Sequence, residues 1–152
     1  MNKNDFYGEL KTIYEDRDCP CTYDRQKDCL LIQIDDGPIL LSVRYDGEAL
    51  VRLELHMGLY LRTSAVPWHL LNQLNLKDIV CRAVVLGCDR QNSPFGELVF
   101  AYDVFDNDDG NFMGTLLESC EIIVDTYQFY YDDISHIRDV ARIVEGMDYE
   151  KA

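Results

Sequence analysis

The sequence predicts an α+β domain, a five-stranded antiparallel sheet with helices packed on one face, in the order α-β-β-β-α-β-β-α. Three observations lead there. Residues 49–62, ALVRLELHMGLYLR, alternate strictly. Val51, Leu53, Leu55, Met57, Leu59 and Leu61 share one parity, against Arg52, Glu54, His56, Tyr60 and Arg62 on the other. That is a strand with one buried and one wet face. Turn signals at Asp36-Gly37-Pro38 and Asp46-Gly47 are short enough to tie it to two preceding strands as an antiparallel meander. Apolar residues at spacings of three and four mark helices before, between and after the strands.

Taken in order, the first element is a helix, with Phe6, Leu10 and Ile13 recurring between polar neighbours. Gly8 inside it costs about 1 kcal/mol relative to alanine, so this helix needs tertiary support. Residues 16–28, DRDCPCTYDRQKD, break the pattern and read as a loop. CLLIQID (29–35) and ILLSVRY (39–45) are the first two strands, and 49–62 is the third. In residues 63–78, Thr63 or Ser64 caps a helix and Pro67 falls in its first turn, where a missing N–H goes unused. Val66, Leu70, Leu71 and Leu74 form its apolar stripe. IVCRAVVLGC (79–88) and ELVFAYDVF (97–105) are two more strands, joined by DRQNSPFG. After DNDDG, a long helix carries Phe112, Leu116, Cys120, Ile123, Tyr127, Tyr130 and Ile134 at helical spacing. Residues 135–152 continue as a helical tail after a break near Ser135.

At 152 residues the chain suits a single domain, 1–152, with room for a core that needs no staples. An apolar share of 47% argues against intrinsic disorder. Acidic side chains outnumber basic ones by 28 to 14, leaving a net charge of −14. Such a field repels phosphate backbones and anionic bilayers, so neither nucleic acid nor membrane is expected as a partner. Basic or apolar polypeptides remain. With no signal-peptide core and no membrane-length apolar run, the expected compartment is the cytoplasm, with the six cysteines reduced.

Candidate chemistry is sparse, and no catalytic residue, metal or cofactor is expected. Cys19-Pro20-Cys21 with Cys29 falls short of the paired knuckles of a structural zinc site. Aligning Gly110 with the sixth position of a calcium loop puts Phe105 and Leu116 where acidic ligands belong. Asp106, Asn107, Asp108 and Asp109 are better read as residues that favour the N-terminus of the long helix. His56, His69 and His136 are scattered, and neither a nucleophile elbow nor a phosphate-cradling glycine loop is present.

The second face of the sheet is more informative. On the first three strands it is mostly polar, including Leu31, Gln33, Leu40, Ser42, Arg44, Arg52, Glu54 and His56. Placing Arg82 outward also turns Val80, Val84 and Leu86 outward, and residues 97–105 are apolar on both parities. One layer of helices covers one face only, so the other needs the C-terminal helix, a second copy or a captured segment. Arg52, His56, Tyr60, Val84, Leu86 and Phe100 are the candidate partner-binding residues.

The run LRTSAVPWHLLNQLN, through Ser64, Ala65, Val66, Leu71, Asn72, Leu74 and Asn75, resembles the "SAV…L…LN" helix of the YbjN family. The hairpin after it and the helix from Phe112 continue the likeness, which is carried by residues 57–131. That family is labelled a bacterial sensory transduction regulator and resembles type III secretion chaperones in fold. The resemblance implies a homodimeric, non-enzymatic domain that binds a protein segment. A true secretion chaperone carrying an effector segment is the alternative, and an uncharacterised enzyme or metal-binding protein a distant one.

Overall fold

The computed structural model describes residues 2–34, 37–47, 50–77, 80–87, 93–106 and 110–151. Helix α1 (Lys3–Asp16) is followed by strands β1 (Cys21–Asp24), β2 (Cys29–Gln33), β3 (Leu40–Tyr45) and β4 (Leu50–Arg62). A 3-10 turn (Thr63–Ala65) leads into α2 (Trp68–Lys77). Strands β5 (Arg82–Gly87) and β6 (Phe95–Phe105) then precede α3 (Phe112–Phe129) and α4 (Tyr131–Lys151). The six strands form one antiparallel sheet in the order β1-β2-β3-β4-β6-β5.

The alternation at residues 49–62 holds. Val51, Leu53 and Leu55 are fully buried, while Arg52, Glu54 and His56 look the other way. In register with them, Leu41 and Val43 of β3 and Phe100 and Val104 of β6 point to the same side. All four helices pack there. Phe6 and Leu10 of α1, Leu71 and Leu74 of α2, Leu116 and Ile123 of α3, and Ile134 and Ile137 of α4 join one core with these strand residues. Each such side chain contributes about 1.5–3 kcal/mol by leaving water. That burial holds α1 despite Gly8.

Several boundaries differ from the expectation, each for a physical reason. The sheet has six strands because residues 21–24, read as loop, pair with β2 from Cys21↔Ile32 to Asp24↔Cys29. Pairing with a preformed neighbour, not its own pattern, makes this short segment a strand. Thr63 and Ser64 belong to the separate 3-10 turn, and α2 begins after Pro67, whose carbonyl accepts from the N–H groups of Leu70 and Leu71. The long C-terminal helix breaks at Tyr130, not near Ser135. The Tyr130 N–H still bonds to Thr126 O, and α4 restarts with Asp132 and Asp133 in its first turn, where the helix dipole favours them. Helix α3 starts at Phe112 behind Asn111, with no acidic residue in its first turn. Of the four residues expected to favour that terminus, Asp106 precedes Phe112 by six positions; Asn107, Asp108 and Asp109 lie outside the described residues, as do Asp35 at the end of the first expected strand and Asp36 of the first turn signal. At the second turn signal Gly47 takes φ +94°, as a tight reversal requires.

Gly96, buried where β6 pairs with the end of β5 opposite Gly87, leaves no room for a side chain. A Cβ there would sit 2.5 Å from Val85 Cγ1 and 3.1 Å from Leu86 O, whereas one on neighbouring Gly87 would meet nothing within 4 Å. Gly96→Ala should therefore lower the unfolding free energy by about 1–3 kcal/mol in urea titration, and Gly87→Ala by much less. Equal effects at the two positions would contradict this packing.

Candidate functional site

The face of the sheet away from the helices forms a broad hollow of about 910 Å³, running from Asp24 and Lys27 beside β1 to Leu86 and Gly87 on β5. Its floor is set by strand parity. Leu31 lies beside Ser42 and Glu54, and Leu40 lies beside His56, Val99 and Val84. Ser42 and Val99 are only 5% and 0% exposed although no helix covers them. The sheet is therefore curved enough for neighbouring side chains to shield the floor. Between His56 and Leu59 the pairing of β4 with β6 shifts, so that Met57 and Gly58 have no partners on β6. Such a bulge increases bending and twist. Gly58 takes φ +68° and its Cα faces Pro38, which shares the wall of the hollow.

Charged groups pair along the walls. Arg52 grips Asp103 through Nε–Oδ1 at 2.9 Å and Nη2–Oδ2 at 3.3 Å, and this bond raises the guanidinium pKa. His56 Nδ1 lies 2.6 Å from Glu97 Oε1, both half-buried. Tyr60 stands on the rim, 57% exposed, opposite Glu97 in the register. Five of the six candidate residues, Arg52, His56, Tyr60, Val84 and Leu86, thus share this face. Phe100 does not join them. It lies between Leu55 and Ala83 on the helix side, 1% exposed, because β6 is apolar on both parities and its even-numbered residues turn into the core. Arg44, Glu54 and Glu97 also line the hollow though not among the six expected residues; parity with Arg52 and His56 marks the first two in the sequence.

The C-terminal helix is not the missing cover, since α4 packs against β4, the 3-10 turn, α2 and α3 within the helix layer. Arg62 reaches Glu145 on it at 3.1 Å. Among the described residues, Cys29 does not join Cys19 and Cys21. Cys21 points to the helix side and Cys29 to the hollow, as their places opposite Ile32 and Asp24 dictate. Among the described residues no three His, Cys, Asp or Glu side chains gather as a metal site requires. Burial raises the thiol pKa of Cys29, and raises those of Cys21 and Cys120 to about 11, with Glu15 adding to the effect at Cys21.

No protein-family model matches the sequence, and no match was found among curated proteins. Among solved structures, the crystal structure of YbjN from E. coli, described there as a proposed transcription regulator, aligns with a TM-score of 0.54 and 17% identity. The match covers 82% of this chain and 90% of that one. The fold is YbjN-like. The match takes in more of the chain than residues 57–131, where the sequence resemblance lies, and includes residues before them. No described helix is long and apolar enough to cross a membrane.

The thiol environment makes a direct prediction. With its pKa near 11, Cys21 should react with iodoacetamide at pH 8 at least about tenfold more slowly than an unperturbed cysteine, and speed up as pH rises toward 11. Peptide mapping by mass spectrometry checks this, and a rate equal to that of a free cysteine peptide would contradict it.

Proposed function

We propose that the chain is a non-catalytic, protein-binding regulatory domain of the YbjN type, and that its binding surface is the hollow face of the sheet. The observation that carries this reading is the uncovered concave floor. From β1 to β5 it spans five inter-strand spacings, roughly 24 Å, about the length of seven extended residues. That width suits a polypeptide segment better than a compact ligand. Leu31, Leu40 and Leu86 offer apolar seats, and the paired charges offer polar contacts along the way. YbjN's description as a proposed transcription regulator supports a regulatory role. The net charge of −14 favours protein over nucleic acid as the direct partner. The protein acts, on this reading, in the cytoplasm.

A photoreactive amino acid placed at Tyr60, or at Trp68 on the helix side, tests the reading in cells. The expected outcome is an adduct from Tyr60 that maps to one contiguous segment of another protein and is lost when Leu31→Glu puts a charge on the floor. Adducts from Trp68 alone would contradict it, and adducts only with a second copy of the chain would make the hollow a dimer interface. A secreted effector as the adduct would select the secretion-chaperone alternative.

A further inference from the structure

The charges of the hollow are unevenly satisfied at one end. Arg44 of β3 stands directly opposite Arg52 of β4, on the same face. Like charges in that position, with Cβ atoms about 5 Å apart, are destabilising. Arg52 is neutralised from its other side by the two-point grip of Asp103. Arg44 has a poorer arrangement. Its Nη2 lies 3.4 Å from Asp46 Oδ2, a long contact between side chains 35% and 44% exposed and its one ion pair among the described residues, although its charge also reaches Asp28. Its Nε is buried and, among the described residues, has no hydrogen-bond partner. A protein with twice as many acids as bases has thus set two guanidinium groups face to face and left one short of acceptors.

We propose that this pair is the anchor for an acidic side chain of the bound polypeptide, its carboxylate lying between Arg44 and Arg52 at the β3–β4 end of the hollow. This deepens the reading of the hollow as a polypeptide site and rests on it. A carboxylate matches the planar fork of a guanidinium, and such charge-assisted bonds are among the stronger ones available to a segment on a sheet. The surroundings favour a side chain over a free anion. Leu31 and Leu40 continue from the arginines along the same face and seat apolar residues that flank the acid. The net charge of −14 opposes every anion, but it opposes a polyanion such as nucleic acid, charged at each phosphate, far more than a segment that seats one carboxylate between two guanidinium groups.

The test uses the intact protein and four probes: an acetylated, amidated pentapeptide alternating leucine and glutamate, its glutamine and lysine counterparts, and inorganic phosphate. Binding is followed by NMR at the Nε–H signals of Arg44 and Arg52. The glutamate peptide should shift both signals and bind about tenfold or more tighter than the glutamine peptide, and Arg44→Gln should remove that advantage while Arg44→Lys retains part of it. Equal or tighter binding of the glutamine or lysine peptide would overturn the carboxylate anchor and leave the polypeptide site standing. Phosphate shifting the signals as strongly as the glutamate peptide would mark a small-anion site instead. No shift with any peptide would overturn both readings. The comparison among peptides on the unaltered chain holds even where a variant folds poorly.

Discussion

Strand β4 imposes the constraint on which the molecule depends. It is paired on both sides, with β3 along its first half and with β6 over nearly its full length. Its odd-numbered residues are apolar, and a strand's period of two sends them all to one side. A one-residue slip of register would put that whole row in water, so the burial of Val51, Leu53 and Leu55 fixes the alignment of the sheet. Four helices then gather on that side because the apolar surface is there. The even-numbered row is left without a cover by the same rule.

What the uncovered row becomes depends on curvature. On a flat sheet Ser42 and Val99 would be open to water; here they are buried with no helix above them. Met57 and Gly58, without partners on β6, fall in the middle of the long β4–β6 ladder, where a bulge increases bend and twist. Charged side chains around the floor are then partly desolvated, which explains why Arg52 and His56 each hold a carboxylate instead of pointing freely into solvent. The hollow is a consequence of packing first and a binding surface second.

Much of this was legible in the residues. Parity identified the second, third and fourth strands and the polar second face, and spacing identified the first helix, α2 and the helical run from Phe112 to Ile134. Segments that lack a pattern of their own were not legible. CTYD has no alternation to see, and becomes a strand only because β2 offers an edge. The helical period runs unbroken through Tyr130, with neither glycine nor proline to stop it; the acids Asp132 and Asp133 were the one local sign that a new helix begins. Phe100 could not be placed because residues 97–105 are apolar on both parities, so periodicity gives no side for it. The hollow was visible only as a polar face, since curvature comes from a bulge that alternation conceals: Met57, Leu59 and Leu61 keep their parity through it.

A polypeptide can seat on this face only if the hollow is open in the isolated chain. Methyl NMR with a soluble gadolinium chelate measures this directly. Strong relaxation enhancement is expected at Leu31, Leu40, Val84 and Leu86, with little at Leu53 and Leu55. Protection of Leu31, Leu40 and Leu86 to the level of Leu53 would mean that the face is already covered, and would contradict the account.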